Sequence, residues 1–208
     1  VKLNIIYIIH TTMKIIKYII TFFLFFSTVI NAAQEPDIFL KDSVSEVSQF
    51  ISDNKEMLDN NEGFLQAKVD ELITPKLNIL LMSKIVLGKE NWLSMNSHQR
   101  DKFVLAFKGL MVRTYMKSLT AFDGEKILFL PYVEGKRPGI AKVQSTYILA
   151  EGEISVNYSL KLNKSNKWKV YDITIDGISL VKNYRADFRN HVEQKGISSL
   201  ISVLEDKS

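Results

Sequence analysis

The sequence contains no cysteine, and this absence excludes several kinds of site and of stabilisation. Without thiols the chain has no disulfide framework, no thiolate metal site and no cysteine that could carry a lipid. Internal repeats, low-complexity segments and long linkers are also absent. The chain is long enough to bury a proper core, so its stability must come from that core alone.

Histidine and clustered charge are scarce as well. Only His98 and His191 follow residue 33, and neither has metal-ligand spacing to a second histidine or to an acidic cluster. Both are predicted to lie on solvated helix faces, and no metal site is expected. There is no glycine-rich phosphate loop. Basic and acidic residues interleave without a concentrated basic surface, so nucleic acid is not expected as a partner.

The N-terminal segment has the pattern of a secretory signal peptide. Lys14 and Lys17 precede an uncharged run over residues 18–30, and small residues follow at 31–33. The run is shorter than the roughly 20 residues that a membrane-spanning helix needs. A retained membrane anchor is the alternative. We therefore predict that the protein is exported from the cytoplasm.

Removal of this segment changes the charge of the working protein. Cleavage is predicted after Ala32 or Ala33, and Met13 is the expected start of translation. Residues 1–33 hold three lysines and no acidic residue, so their removal lowers the net charge from +4 to +1. Residues 34–208 are predicted to form one domain, and no later stretch reaches transmembrane length.

Helical periodicity dominates the two ends of the predicted domain. Apolar residues recur at helical spacing over residues 37–60, 63–73, 77–87, 97–120, 180–194 and 197–204. Gly88 is predicted to end the third helix, and Gly196 to separate the last two. Asn96 and Ser179 are the predicted N-caps of the helices that follow them.

Strand patterning occupies the middle of the domain, over residues 126–130, 141–149, 154–162 and 168–175. Apolar and polar residues alternate in the second and third segments, as in strands with one buried face. Successive hairpins predict a curved antiparallel sheet, and helices against one face of it give an α+β fold around an apolar interior. Periodicity alone does not distinguish a filled core from an open pocket, because both need the same apolar faces.

Two segments resemble parts of active sites. Residues 177–181 resemble a nucleophile elbow around Ser179, but Val181 stands where a second glycine is needed. Ser179 lacks a partnered histidine and is better explained as a helix N-cap.

Asp172 and Asp176 could form a carboxylate pair on one strand face. Ion pairs with Arg113 or Arg185 are the favoured alternative. No convincing active site is found, although a periplasmic enzyme acting on a hydrophobic substrate stays the second hypothesis.

Two blocks of the sequence are similar to one known family. The first contains Val86, Leu87, Gly88, Trp92, Gln99, Arg100, Phe103, Phe107, Leu110 and residues 112–115. The second contains residues 168–173, 177–181 and 183–185, then Phe188, Gly196, Leu200 and Ile201. Over roughly residues 44–204 the chain resembles the MlaC family, also called the toluene-tolerance family. Residues 96–98 depart from its common Thr-Pro-Glu helix start but preserve the capping role.

The resemblance implies an α+β fold of the nuclear-transport-factor-2 type and a periplasmic phospholipid carrier. Such a carrier exchanges lipid between an outer-membrane lipoprotein complex and the substrate-binding subunit of an inner-membrane ABC transporter, and so maintains outer-membrane lipid asymmetry. It is not an enzyme, needs no cofactor and holds phospholipid as cargo. A monomer is expected.

A pocket of this kind would place acyl chains against apolar residues of the long helix and the sheet. The predicted lipid contacts are Phe103, Phe107, Met111, Tyr115, Val143, Tyr147, Val156, Tyr158, Val170 and Ile173, with Leu180, Val181 and Tyr184 at a mouth or lid. Arg113 and Arg185 are candidates for the phosphate, although a structural ion pair is the favoured role. The face of the strand after Trp168 depends on whether a bulge shifts its register.

Overall fold

The computed structural model of the chain describes residues 33–206, without the side chains of residues 116–120. The predicted signal peptide, apart from Ala33, lies outside the described residues. Residues 33–206 belong to one compact unit. No helix within this range is both long and apolar enough to cross a bilayer.

Helices form both ends of this unit and strands form its middle. The first half contains α1 (Pro36–Asn60), α2 (Glu62–Lys68), a π-helical turn (Val69–Ile73), a 3-10 turn (Thr74–Lys76), α3 (Ile79–Ser94) and α4 (Ser97–Thr120). The second half contains β1 (Lys126–Phe129), β2 (Val133–Glu134), β3 (Ile140–Leu149), β4 (Gly152–Leu162), β5 (Trp168–Ile175), β6 (Ile178–Ser179) and α5 (Leu180–Asp206).

Asparagine side chains fix the starts of three helices. Asn61 and Asn78 each accept a hydrogen bond from the backbone N–H three residues later, before α2 and α3. Before α4, Asn96 Oδ1 accepts from Gln99 N at 2.9 Å, and Gln99 Oε1 accepts from Asn96 N at 3.1 Å. This reciprocal pair is a capping box, and the predicted N-cap at Asn96 is confirmed.

Two glycines interrupt long helices. Gly88 has φ 76° within α3, and Gly196 has φ 79° within α5, a region that side chains with a Cβ rarely adopt. The break at Gly196 lies where the sequence predicted it. The predicted end of the third helix at Gly88 is also confirmed, since the backbone leaves the helical region at this residue and a second helical stretch then continues to Ser94.

The sheet is antiparallel in the order β1-β3-β4-β5-β6, with β2 pairing to the same edge of β3 as a second short strand. The β3–β4 hairpin runs from the pair Ile140 and Lys161 to the pair Leu149 and Gly152. The predicted inner face is confirmed, since Val143, Val156, Tyr158 and Leu160 are all buried. Helices and an open, curved antiparallel sheet make this an α+β fold, as predicted.

A bulge shifts the register of β5. Tyr158 pairs with Ile173, whereas Leu160 pairs with Val170, so one extra residue lies on β5 between these two pairs. Val170 and Ile173 therefore face the same side although they are three positions apart, which a regular strand would not allow.

An aromatic cluster lies between the helices. α5 packs on α3 and α4 and places Phe188 against two rings of α4. Phe103 and Phe107 stack with centroids 5.9 Å apart, and Phe188 meets each ring edge-on at 5.9 Å. Both α4 rings are fully buried, so this part of the interior is filled.

Candidate functional site

Two apolar cavities lie between the sheet and helical segments that include α1, the short turns after α2, and α4. The larger has a volume of about 430 Å³ and the smaller of about 260 Å³. The larger falls within the roughly 300–1,000 Å³ typical of small-molecule sites. Its walls come from the turns between α2 and α3, from α4, from strands β3 to β5 and from the start of α5.

Helical spacing on α4 builds one wall of the larger cavity. Met111 and Tyr115 lie one turn apart, so their side chains point to the same side, with Val112 beside them. Strand alternation builds the opposite wall, where β4 presents Val156 and Tyr158 to the interior. The apolar faces of α4 and the sheet do not pack against each other here, and a cavity remains between them.

The smaller cavity is lined by α1, which the sequence analysis did not assign to a site. Leu40, Val44, Val47 and Ile51 follow helical spacing and face this hollow. The helical pattern of this segment was evident in the sequence, but nothing in that pattern indicated that the facing surface would stay unfilled.

The two cavities adjoin across a common wall. The residues that line both are Ile73, Leu77, Tyr147, Tyr158 and Ile173. The hydroxyl oxygens of Tyr147 and Tyr158 are 3.0 Å apart, so one hydroxyl donates a hydrogen bond to the other. Burial raises the pKa of Tyr158 well above its ordinary value, and both phenols stay neutral at physiological pH. The wall is therefore uncharged.

Within residues 33–206, the charged side chain that lines each cavity is paired with a carboxylate. Lys108 Nζ lies 2.7 Å from Asp70 Oδ1 beside the larger cavity, and Lys76 Nζ lies 2.6 Å from Glu46 Oε2 beside the smaller. The hydrogen bond from Lys108 is the main reason why the pKa of Asp70 lies below its usual value. No histidine, aspartate or glutamate lines either cavity within the described residues.

Many of the predicted lipid contacts gather at the larger cavity. Those that line it are Met111, Tyr115, Tyr147, Val156, Tyr158, Ile173 and Leu180. Val170 lines the smaller cavity together with Tyr147, Tyr158 and Ile173. Contact with lipid at these positions stays a prediction.

The remaining predicted contacts lie away from both cavities. Phe103, Phe107 and Val181 belong to the filled core between α3, α4 and α5. Val143 is fully buried between the sheet and α1, and the Tyr184 ring packs edge-on against Phe107 at 5.7 Å. These positions share the apolar periodicity of the cavity walls, but neighbouring side chains occupy the space in front of them.

The two arginines proposed for the phosphate are also away from the cavities. Arg113 donates from Nη2 to the carbonyl oxygen of Leu204, at 3.5 Å, near the end of α5. The Arg185 guanidinium packs over Gly88, where its Nη2 would lie 3.3 Å from an added Cβ. Both therefore join helices to one another.

Asp172 does not form the ion pair that was favoured for it. Its carboxylate accepts hydrogen bonds from Ser179 Oγ at 2.7 Å and from Val181 N at 3.2 Å, at the start of α5. Ser179 Oγ in turn accepts from Lys182 N at 3.2 Å, which confirms the predicted N-cap. The buried strand face and the unsatisfied N–H groups of the helix start favour this capping arrangement over an arginine partner.

Asp176 is exposed and likewise makes no ion pair within residues 33–206. Its Oδ1 accepts a hydrogen bond from Ser155 N at 3.0 Å. It lies on the turn after β5 and not beside Asp172, so the two do not form a carboxylate pair. The same part of the chain contains no group of three histidine, aspartate or glutamate side chains that could hold a metal ion.

Comparison with known proteins places this arrangement in a family. The family model described as MlaC protein matches residues 41–206. The intermembrane phospholipid transport system binding protein MlaC of Haemophilus influenzae is 24% identical over 197 residues, covering 93% of this chain and 91% of that protein. A toluene tolerance protein of Pseudomonas putida is 23% identical over 169 residues, covering 79% and 76%.

A solved structure has the same fold. It is a phospholipid-binding protein from Ralstonia solanacearum in complex with a phospholipid, with a TM-score of 0.77 and 23% identity. The match covers 84% of this chain and 97% of that one. The family model spans most of the sequence, including both blocks that carry the resemblance. The chain belongs to the MlaC family.

Proposed function

We propose that this protein carries phospholipid between membranes by enclosing acyl tails in its two adjoining cavities, and that it catalyses no reaction. The observation that carries the proposal is the pair of apolar hollows at the sheet, which the protein's own side chains leave unfilled. The name of the Haemophilus influenzae relative and the phospholipid bound by the Ralstonia solanacearum protein support the same cargo.

The chemistry of the walls supports binding over turnover. A hydrolase or transferase needs a nucleophile or general base within reach of the bound substrate. Asp172, the strongest candidate from the sequence, is engaged in capping α5 and lines neither cavity. Neutral tyrosines and aliphatic side chains provide a dry environment for hydrocarbon but no group that could activate water.

The energetics explain why such a carrier is useful. Each methylene group kept from water contributes about 0.8 kcal/mol, so two tails with roughly 30 methylenes resist transfer through water by on the order of 20–25 kcal/mol. A pocket that matches the apolar environment of the bilayer removes this barrier while preferring neither membrane strongly. Direction then depends on partner proteins, since nothing on the cavity walls supplies energy.

We place this carrier in the periplasm, between an outer-membrane lipoprotein complex and the substrate-binding subunit of an inner-membrane ABC transporter. The signal-peptide pattern of the N-terminus and the MlaC resemblance support this assignment. No cofactor is needed, because the lipid is cargo.

Native mass spectrometry of the purified protein before and after organic extraction tests the proposal. We expect a mass increment of one or more phospholipids that extraction removes. Val156→Glu should abolish loading, because Val156 lines the larger cavity and is 8% exposed, so a carboxylate there meets the tails directly.

The matched control is Val133→Glu, since Val133 is also a strand valine but is 60% exposed and lines neither cavity. It should load lipid as the unsubstituted protein does. A folded Val156→Glu protein with a full lipid complement would contradict the assignment of the cavity.

A further inference from the structure

An ion pair borders the larger cavity. Lys108 lies on α4, one turn before Met111, and Asp70 lies in the π-helical turn on the facing wall. Their side chains are 30% and 39% exposed, so the pair sits where the cavity meets solvent. Lys108 is the cationic side chain among the described residues that line this cavity.

Two donors from the cavity wall converge on one oxygen of this pair. Asp70 Oδ1 accepts from Lys108 Nζ at 2.7 Å and from Thr74 Oγ1 at 3.1 Å, and both donor residues line the cavity. Gln66 Nε2 lies 3.4 Å from the other carboxylate oxygen. The position of Oδ1 is therefore one where an ammonium and a hydroxyl together stabilise an anionic oxygen.

Other polar groups of the two cavities do not offer this combination. The tyrosine hydroxyls of the common wall bond to each other, and Tyr115 is hydrogen-bonded to Tyr184. At the smaller cavity Lys76 contacts Glu46, but within residues 33–206 no second side chain donates to that carboxylate. Among the described residues, a carboxylate oxygen that accepts from both an ammonium and a hydroxyl is thus found beside the larger cavity and not beside the smaller.

We propose that Lys108 and Thr74 bind the phosphodiester of the loaded lipid, whose oxygen takes the place of Asp70 Oδ1. This inference rests on the proposed carrier function and names the headgroup chemistry that the site selects. Asp70 is then an internal competitor: it neutralises Lys108 in the empty protein and turns to solvent when lipid enters. A glycerophospholipid is preferred over a neutral diacylglycerol with the same tails.

Equilibrium binding of dioleoyl phosphatidylglycerol and of dioleoylglycerol tests the proposal. Lys108→Gln should weaken phosphatidylglycerol binding about tenfold, the loss typical of one hydrogen bond to a charged group, and leave dioleoylglycerol binding unchanged. Lys108→Arg should keep most of the preference because it keeps the charge. Asp70→Asn should tighten phosphatidylglycerol binding, since it removes the competing charge.

The control is Lys55→Gln. Lys55 Nζ lies 2.5 Å from Asp123 Oδ1 and joins two distant segments in the same way, but it lines neither of the two cavities. It should bind both lipids as the unsubstituted protein does. Thermal unfolding of each variant establishes that it is folded.

The possible outcomes distinguish failure of the headgroup site from failure of the carrier function. Suppose that folded Lys108→Gln has the same ratio of phosphatidylglycerol affinity to dioleoylglycerol affinity as the unsubstituted protein. This result would overturn the headgroup site and leave the carrier function standing. Failure of the unsubstituted protein to bind either lipid would overturn both. Binding of inorganic phosphate alone that is equally dependent on Lys108 would identify a free-anion site, and the proposed lipid site would be wrong.

Discussion

Phe103 illustrates how one side chain can belong to the core or to the cargo site. It is fully buried and packs against Phe107 and Phe188. We expect Phe103→Ala to lower the free energy of unfolding by about 3–5 kcal/mol, because it leaves a hole in a filled region. Lipid bound per folded molecule should stay the same. Urea unfolding and native mass spectrometry measure the two quantities.

Leu105→Ala serves as the control for this substitution. Leu105 is on the same helix but is 68% exposed, and its removal should change stability by less than about 0.5 kcal/mol. Loss of lipid from Phe103→Ala without loss of stability would show that Phe103 contacts the cargo after all.

The sequence could not separate these roles on α4. Phe103, Phe107, Met111 and Tyr115 follow one another at intervals of four and form one apolar row. Periodicity therefore treats all four alike, and the family resemblance led to the prediction that all four contact lipid. The structure divides the row because α5 lays Phe188 over its first half, whereas the second half faces the sheet across an open space. That division depends on a partner helix some 80 residues away in the chain.

At the scale of elements, the start of α5 depends on a strand side chain. Asp172 holds Ser179 Oγ and Val181 N, so β5 supplies part of the helix cap. We expect Asp172→Ala to lower stability by about 1–3 kcal/mol, because it leaves buried donors unpaired. Lipid exchange between vesicles should continue in the folded fraction, since Asp172 lines neither cavity.

Asp187→Ala is the comparison variant, because Asp187 is an exposed carboxylate on α5 itself. Its stability should be close to that of the unsubstituted protein. Equal stabilities for the two variants, both measured by denaturant unfolding, would argue against the capping role.

The type and order of the main helices and strands could be predicted from the sequence, but the pairing register of β5 with β4 could not. The hairpin β3–β4 alternates regularly, so its inner face was predictable from period two alone. The bulge of β5 breaks that rule between Val170 and Asp172. Its presence was anticipated, but its position depends on the backbone pairing with β4, which no local pattern encodes.

At the scale of the whole molecule, empty volume should make stability depend on cargo. A ligand that binds only the folded state stabilises it by RT ln(1 + L/Kd), where L is the free ligand concentration and Kd its dissociation constant. We expect organic extraction to lower the midpoint of thermal unfolding, and added phospholipid to restore it. Val156→Glu, which should carry no lipid, is the reference: extraction should leave its midpoint of thermal unfolding unchanged. Identical midpoints before and after extraction of a loaded protein would contradict this expectation.

The hollow itself was the least predictable feature. A cavity wall and a core face both require apolar residues at the same spacing, so the pattern of Val156 and Tyr158 is compatible with either. Their assignment to a pocket came from the family resemblance. Whether the apolar faces of helices and sheet meet or enclose a space is a property of the assembled fold.

The common wall has a consequence for how the cargo can vary among related chains. Ile73 and Leu77 reach it from the turns after α2, while Tyr147, Tyr158 and Ile173 reach it from the sheet. Because side chains from two sides meet at this wall, we expect a shorter residue at 73 or 77 to enlarge the space that the two cavities share. Substitutions at these two positions alone are therefore expected to change the thickness and number of acyl tails that fit, with every strand left in place.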